Sequence, residues 1–337
     1  MSVRMKDIAE GLGVSLMTVS KALRNHGDIA EETRRRVLKR AQELNYQPNL
    51  TARSLVNRRT HLIGLVIPDL MHSFFAEVAK GAEDKLAPKG YQILISNSGE
   101  QVEAELQQIL SLRGRNVDGL IIASAADSAA SPVVEALKKY GTSYVLVDRP
   151  VPGLKGNYVG VDDDEIGYMA TSHLLAQGCR RVAHIRGPEN GPAKGRLRGY
   201  RRALESHQLI VPTGYISSGG GNGDISGHEA MQRFLRLTPR PDGVFCYNDP
   251  VAAGAMKAIL EAGLNIPKDI AVIGAGNVHY SDLLRVPLST IDQSSRLIGQ
   301  TAADLLLEAL EVKAPVVSQR ILFSPRLLMR ESTERQS

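Results

Sequence analysis

Residues 5–24 read MKDIAEGLGVSLMTVSKALR, and this stretch decides the fold of the first part of the chain. Apolar residues recur every three or four positions from Met5 to Leu12, which predicts one face of a short helix that Gly13 ends. Ser15 can cap a second helix, because a serine before a helix accepts a hydrogen bond from the first turn. The inward face of the second helix is predicted to hold Val19, Ala22 and Leu23.

A third helix is predicted after Asp28. Its buried stripe is predicted to be Val37, Leu38, Ala41 and Leu44, and its solvated side Arg34, Arg35, Arg36, Lys39 and Arg40. Two short helices across a tight turn, braced by a third, are typical of a helix-turn-helix. Any small three-helix domain has this pattern, so a basic, solvated helical cap is the alternative.

The charge of the chain is concentrated in the same region. Residues 1–59 hold twelve Lys and Arg against six Asp and Glu, whereas the whole 337-residue chain has a net charge of +5. The remainder therefore has 29 basic and 30 acidic residues. A basic module joined to a neutral domain is the pattern expected of nucleic-acid binding.

Residues 48–60 follow the helical module and include LTARSLVNRRT. This segment has few bulky apolar residues, and a helix of fewer than about 12 residues is marginal in water without packing partners. The sequence therefore predicts a linker between residues 1–47 and a domain that begins at residue 61.

From residue 61 onward, short β-branched runs alternate with helical periods. Strands are predicted at 62–67, 91–96, 119–124, 143–148, 158–161, 182–186, 243–246 and 270–274. Helices are predicted near 74–88, 101–113, 131–140, 164–178, 193–207, 226–236, 249–263 and 294–312. This alternation predicts an α/β core of two doubly wound parallel-sheet subdomains, with ligands at the carboxyl ends of strands in the cleft between them.

Composition and motifs exclude several classes. With 43% hydrophobic and 23% charged residues and no apolar run near 18 residues, the chain is expected to be globular and not membrane-inserted. The opening residues lack the apolar stretch of a secretory signal, which predicts the cytoplasm. Cys179 and Cys246 are too few for a disulfide framework, and no metal or cofactor motif is present. Neither GxSxG, Walker A, GxGxxG nor HExxH occurs, so no catalytic residue is predicted.

Residues 5–55 resemble the DNA-binding head of the LacI/GalR transcriptional regulators almost position for position. The core is similar too, through segments that fall in family order, among them PDLMHSFFAEVAKGAE, VLVDRP, NDPVAAGAMKAI, PLSTIDQ and LLMREST. The resemblance covers essentially the whole chain and implies a periplasmic-binding-protein-like core. It places the N-subdomain at about 61–161 plus 293–324, and the C-subdomain at about 162–292 plus 325–337.

For the head, the resemblance implies that the helix at residues 16–24 reads the major groove. Leu16 and Met17 would press on thymine methyls, while Ser20, Lys21 or Arg24 would supply polar readout and Ser15 and Thr18 would contact phosphates or cap the helix. Residues 49–57 match the hinge helix of the family, which folds when two protomers meet on operator DNA. Ala52 and Leu55 match its minor-groove wedge, and Asn49 and Arg53 would lie along the phosphates.

For the core, the resemblance implies an effector pocket formed by His72, Phe74, Phe75, Asp148, Arg196, Asn248, Asp249, Asn277 and Asp292. Arg, Asn and carboxylate groups suit a polyhydroxylated ligand, and Phe rings suit its apolar face. A structural ion pair for a buried Arg or Asp, and a core position for the two Phe residues, are the alternatives.

The chain departs from the family at two places. An aromatic residue and an acid usually follow the glycine that ends the strand at 270–274, but here the order is Gly274-Ala275-Gly276-Asn277. His72-Ser73 also replaces Asn-Pro. Because Arg196 remains while an acid is lost, an acidic sugar is one hypothesis for the effector, and a neutral sugar held by Asn277, Asp249 or Asp292 is the other.

The sequence thus predicts a non-enzymatic repressor of transcription, without a cofactor, whose affinity for a pseudopalindromic operator is controlled by a small molecule, a sugar or a sugar derivative. A homodimer is expected, because no leucine heptad for a tetramerising coiled coil follows the core. A sugar-binding protein or an enzyme on the same bilobed core, without operator function, is the alternative.

Overall fold

The computed structural model describes residues 3–23, 25–46, 59–217, 223–311 and 318–335. The chain divides into two units, Met1–Thr60 and His61–Ser337. The first unit contains helices α1 (Met5–Leu12), α2 (Leu16–Leu23) and α3 (Glu31–Glu43). Gly13 ends α1 in the left-handed region with φ of 67°, where glycine carries no steric penalty. The predicted helix-turn-helix is confirmed.

The core of the first unit is a small apolar cluster to which all three helices contribute. Its buried members are Ile8, Ala9, Val19, Ala22, Val37 and Ala41. The prediction that Leu38 belongs to this core is wrong, because 48% of Leu38 is exposed. Adjacent helical residues point about 100° apart, so Val37 and Ala41 share a face from which Leu38 is turned away.

The second unit contains eleven strands among the residues that the structure describes. They are β1 (Leu62–Ile67), β2 (Gln92–Asn97), β3 (Gly119–Ile122), β4 (Ser143–Val147), β5 (Asn157–Val161), β6 (Val182–Ile185), β7 (Gly243–Cys246), β8 (Ala271–Ala275), β9 (Ser289–Asp292), β10 (Arg320–Phe323) and β11 (Arg326–Leu328). The helices of this unit are α4 (Ser73–Leu86), α5 (Val102–Gly114), α6 (Pro132–Tyr140), α7 (Asp163–Ala176), α8 (Gly191–Ser206), α9 (Asp224–Leu235), α10 (Asp249–Glu261) and α11 (Ser295–Glu311). All eight predicted strands and all eight predicted helices are present, and no end is shifted by more than two residues.

These elements form two lobes, each with its own sheet. The first lobe has six parallel strands in the order β10-β5-β4-β3-β1-β2. The second lobe has five strands in the order β11-β9-β8-β7-β6, parallel except for β11, which pairs antiparallel with β9. Apolar clusters cover both faces of each sheet, as a parallel sheet flanked by helices requires. The predicted pair of doubly wound subdomains is confirmed.

The chain passes between the lobes at three short connections. Asp162 alone separates β5 from α7, Gln293 and Ser294 separate β9 from α11, and residues 324–325 separate β10 from β11. Helix α11 packs on α4 and on strands of the first lobe, whereas α7 packs on α8 and on strands of the second. The sequence analysis did not predict β9, β10 or β11. Strands β10 and β11 lie at the edges of their sheets and lack a continuous buried apolar run.

Glycines let three helix pairs approach closely. A Cβ atom built on Gly199 of α8 would lie 1.9 Å from the carbonyl oxygen of Asp164 in α7, and one on Gly167 would lie 2.0 Å from that of Arg196. The pairs α4 with α11 and α9 with α10 show the same arrangement, through Gly81 and Gly299 and through Gly227 and Gly254. Helix backbones in direct contact bring the strand ends of each lobe, and the side chains there, to fixed positions.

None of the helices that the structure describes is long and apolar enough to cross a membrane.

Candidate functional site

Two large apolar side chains lie on the surface at the start of α2. Leu16 is 48% exposed and Met17 is 63% exposed, although apolar residues of that size are usually buried. Val19 and Ala22 on the opposite side of α2 hold the helix to the core. The N-terminal turn of α2 therefore presents two partly exposed apolar side chains on the surface of its own unit.

The polar residues of α2 interact with the head itself. Ser15 Oγ accepts a hydrogen bond from the backbone N–H of Thr18 at 3.0 Å and lies 2.8 Å from Thr18 Oγ1, so Ser15 caps the helix as predicted. Lys21 Nζ donates to Asp28 at 2.5 Å, and this hydrogen bond lowers the pKa of the Asp28 carboxyl. Ser20 is half-buried on the same helix. The predicted contacts Arg24, Asn49, Ala52, Arg53 and Leu55 lie outside the described residues.

A small polar cavity lies between the two lobes of the second unit, where strands of both sheets end. Its volume is about 20 Å³, close to the room that one water molecule occupies. The carboxyl ends of parallel strands are where ligands of doubly wound folds bind. The lining residues are His72, Phe74, Phe75, Asp148, Arg149, Arg196, Tyr247, Asn248 and Gln293.

Six of the nine residues predicted for the effector pocket line this cavity, and Asp249, Asn277 and Asp292 do not. Asp249 is fully buried, and its carboxylate accepts hydrogen bonds from Thr290 Oγ1 at 2.6 Å, Ser281 Oγ at 2.8 Å and Val278 N at 3.0 Å. These contacts occupy both carboxylate oxygens. In this structure Asp249 joins α10 to the segment after β8.

Asn277 and Asp292 are likewise held by neighbours within the second lobe. Asn277 Oδ1 accepts from Arg330 Nη2 at 2.9 Å. The Asp292 carboxylate accepts from Ser294 N at 2.9 Å and from Arg326 Nη2 at 3.0 Å. Both side chains therefore hydrogen-bond to protein groups and do not line the cavity.

Three of the lining residues, Arg149, Tyr247 and Gln293, are not among the nine residues predicted for the pocket. Each directly follows or precedes a predicted residue, namely Asp148, Asn248 and Asp292. Asp148 adopts a positive φ of 63°, so the turn after β4 brings both Asp148 and Arg149 to the cavity. A strand-end motif was the available signal, but it does not tell which of two adjacent side chains faces the cleft.

Arg196 is buried and fixed by three acceptors. Its Nε donates to Asp163 Oδ1 at 3.0 Å, its Nη1 to the carbonyl of Tyr247 at 2.6 Å, and its Nη2 to Gln293 Oε1 at 3.0 Å. The guanidinium carbon lies 4.7 Å from the centre of the Tyr247 ring. Burial raises the pKa of Asp163 to about 6, although the Arg196 charge opposes that shift. Arg196 therefore forms a structural ion pair, which the sequence analysis gave as the alternative to a ligand-binding role.

Arg149 is the second buried guanidinium. Its Nη1 and Nη2 donate to the two carboxylate oxygens of Glu100 at 2.6 and 2.8 Å, the bidentate geometry that suits arginine. Its Nε lies 3.3 Å from Asp148 Oδ2 and makes no hydrogen bond within the described part of the chain. Burial raises the pKa of Asp148.

His72 and Asn248 join the two lobes directly. His72 precedes α4 in the first lobe, Asn248 precedes α10 in the second, and His72 Nε2 lies 2.9 Å from Asn248 Nδ2. Burial lowers the pKa of His72 to about 4, so the imidazole is neutral at pH 7. This contact closes one side of the cavity.

Phe74 and Phe75 line the cavity and also belong to the apolar core of the first lobe. Their ring centres are 5.1 Å apart at an edge-to-face angle of 84°, and the His72 ring lies 5.6 Å from that of Phe75. The two Phe residues thus belong to the apolar core, which was the alternative to a ligand-binding role. One side of the pair also lines the cavity.

Family models match both parts of the chain. Residues 4–49 match "Bacterial regulatory proteins, lacI family", and residues 171–333 match "Periplasmic binding protein-like domain". The ribose operon repressor of Halalkalibacterium halodurans is 32% identical over 98% of this chain and 97% of its own length. The PurR transcriptional repressor of Escherichia fergusonii is 34% identical over 97% and 96%.

Solved structures agree with these matches. A crystal structure of the lac repressor dimer bound to operator and the anti-inducer ONPF is similar with a TM-score of 0.87 and 28% identity over 99% of both chains. A helix-turn-helix unit followed by a bilobed core defines a ligand-responsive DNA-binding regulator of transcription. The chain belongs to the LacI family of bacterial regulatory proteins.

Proposed function

We propose that this regulator is a repressor that binds a pseudopalindromic operator as a homodimer and responds to a small carbohydrate-like effector in the interlobe cavity. The observation that carries the proposal is the cavity at the strand ends, closed by a contact between His72 of one lobe and Asn248 of the other. A ligand that enters it must change the separation of the lobes, because the cavity itself holds about one water molecule. It changes DNA affinity only through its differential affinity for the two states.

In the head, the proposed readout is carried by Leu16 and Met17 in the major groove, with Ser20, Lys21 and Arg24 as polar contacts. The exposure of the two apolar side chains supports this role. Asn49, Ala52, Arg53 and Leu55 form the proposed hinge contacts on the resemblance to the family. The proposed domain limits are 1–47, 48–60 and 61–337, with the two core subdomains as given above.

In the core, the proposed effector contacts are His72, Phe74, Phe75, Asp148, Arg196 and Asn248, joined by Arg149, Tyr247 and Gln293. Asp249, Asn277 and Asp292 are better assigned to the framework of the second lobe, since their side-chain oxygens bond to protein groups. The proposed location is the cytoplasm, where a regulator meets the chromosome.

The test is selection of genomic fragments by the purified protein, followed by fluorescence anisotropy on the selected sites. We expect two-fold-symmetric sites, and an affinity that falls on the order of a thousandfold between 50 and 200 mM salt if about six phosphates are contacted. Selection of no common sequence, an affinity insensitive to salt, or a protein that remains monomeric at micromolar concentration would contradict the proposal.

A further inference from the structure

An acidic side chain lies beside the exposed face of α2. Lys21 follows Met17 by four positions, so the two side chains share one face of the helix. The Lys21 ammonium donates to Asp28 Oδ2 at 2.5 Å. The other carboxylate oxygen, Asp28 Oδ1, lies 3.0 Å from His26 Nδ1. Both oxygens of Asp28 are therefore engaged next to the surface that is proposed to read DNA.

The turn that carries Asp28 is anchored to α3. Arg34, whose side chain is 17% exposed, donates from Nη2 to the carbonyl oxygens of His26 at 2.9 Å and of Ile29 at 3.4 Å. These two residues stand on either side of Asp28, and Ile29 also packs against the apolar cluster of the head. The backbone around Asp28 is thus held in place independently of the ion pair with Lys21.

The ion pair opposes the usual attraction between a basic module and DNA. Lys21 is the only charged residue in the stretch Leu16–Leu23, so Asp28 neutralises the one cation that this helix contributes. A lysine without an acidic partner at a DNA surface donates to a phosphate, whatever the base sequence. A carboxylate 2.5 Å from the ammonium repels phosphates, whereas guanine O6 and N7 are uncharged acceptors.

We propose that Asp28 is a positioning residue, which turns Lys21 away from the phosphates and toward a guanine in the major groove. This rests on the proposed function, in which α2 reads the operator. An ammonium group has three N–H donors, so Lys21 can keep one on Asp28 and direct the others at guanine O6 and N7. The carboxylate weakens binding to every sequence by repulsion, but it weakens binding least where a guanine accepts from Lys21. Asp28 thus contributes specificity rather than affinity.

The first experiment measures non-specific binding and needs no knowledge of the operator. A duplex of scrambled sequence is titrated with the full chain by fluorescence anisotropy at several salt concentrations. Asp28→Asn should bind this duplex several-fold more tightly than the wild type. Its log affinity should also fall more steeply with log salt, by about 0.9, because the released Lys21 contacts one more phosphate. An unchanged affinity and slope overturn the inference.

The matched control for this experiment is Glu43→Gln. Glu43 pairs with Arg40 at 3.1 Å on α3, and its side chain is 46% exposed against 48% for Asp28. The two variants therefore make the same change in net charge at the same exposure. Both should melt within about 2 °C of the wild type, since half-exposed ion pairs contribute little to stability. Equal gains in non-specific affinity for the two variants would be an effect of net charge alone and would overturn the inference.

The second experiment measures discrimination between base pairs on a selected operator. Each G·C pair is replaced by A·T in both half-sites, and binding is compared for the wild type, Asp28→Asn, Lys21→Gln and the double variant. Replacement of one G·C pair should cost the wild type about tenfold in affinity, and each single variant much less. The double variant should discriminate no worse than Lys21→Gln, because Asp28 acts through Lys21. Full discrimination by Asp28→Asn, or losses from the two substitutions that simply add, overturn the inference.

The same measurements separate this inference from the proposed function. If the wild type binds a two-fold-symmetric operator while Asp28→Asn behaves like Glu43→Gln, the role of Asp28 is wrong and the proposed DNA-binding function stands. If the wild type binds no selected DNA, both are wrong.

Discussion

Arg196 and Asp163 form an ion pair in which Nε donates to Oδ1 at 3.0 Å, with 4% and 13% of the two side chains exposed. Removing one partner of such a buried pair leaves an uncompensated charge, which costs about 3–5 kcal/mol. Arg196→Ala should therefore lower the free energy of unfolding by that amount, as measured by urea denaturation. The double variant Arg196→Ala with Asp163→Asn should recover part of the loss. If Arg196→Ala is as stable as the wild type, the pair contributes nothing to the framework of the cleft.

The exposed residues of α2 allow a separation of DNA contact from folding. Leu16→Ala and Met17→Ala should leave the melting temperature within about 2 °C of the wild type, because the side chains pack on little. Each should weaken binding to a selected operator by about 1–3 kcal/mol, the usual effect of a lost base contact. Leu38→Ala is the matched control, since Leu38 and Leu16 are both 48% exposed. Anisotropy on the three variants checks the prediction, and an equal effect from Leu38→Ala would refute it.

Stability should depend on pH through His72. Burial lowers the pKa of His72 from its usual 6.5 to about 4; the charges of Arg196 and Arg149 lower it further, and Asp69 and Glu100 oppose them. The unfolded chain thus binds a proton more readily than the folded one between these values. The contribution of a neutral His72 is complete above about pH 6.5 and is lost as the pH falls toward 4.

The pH prediction is checked with melting temperatures measured from pH 7 to pH 4. The wild type should lose stability over this range more steeply than His72→Gln, which has no proton to gain. Parallel curves for the two proteins would show that His72 does not carry the dependence. His184, whose pKa burial lowers to about 3, is present in both proteins and cancels in the comparison.

The close helix contacts at the glycines predict a change in stability opposite in sign to the one expected from helix propensity alone. Alanine normally stabilises a helix by about 1 kcal/mol relative to glycine. Gly199→Ala should nevertheless destabilise the protein by about 1–3 kcal/mol or more, because the new methyl group would meet the Asp164 carbonyl oxygen at 1.9 Å. Gly114→Ala, in a helix where no atom lies within 4 Å of the added Cβ, is the control and should not destabilise. Similar changes for both variants in urea denaturation would contradict the close approach.

The architecture could be predicted from the sequence because the spacing of apolar residues indicates which faces of a helix or strand are buried. The strand Leu62–Ile67 reads as a continuous apolar run, and it is buried over nearly its whole length between two helical layers. Strand Arg320–Phe323 could not be predicted in this way. It is an edge strand of alternating exposure, and its pairing with Asn157–Val161 joins segments far apart in the sequence.

The site was predicted to within about one residue at several strand ends, but not always to the right side chain. Asp249 and Asn248 are adjacent and both polar, yet Asn248 faces the cavity while Asp249 turns toward Ser281 and Thr290. Those partners lie 32 and 41 residues further along the chain, and local pattern carries no information on them. Likewise, the Glu100 carboxylate that binds Arg149 comes from 49 residues earlier in the chain.

The three connections between the lobes restrict how the cleft can move. With only one or two residues in each, the connections leave little room for the lobes to slide apart, so we expect their relative motion to be a rotation near the connections. Gln293 lies in one of them and also accepts a hydrogen bond from Arg196 at 3.0 Å. A ligand that displaces Arg196 would therefore act close to the rotation axis. A small shift of the guanidinium there would correspond to a large displacement at the far ends of the lobes.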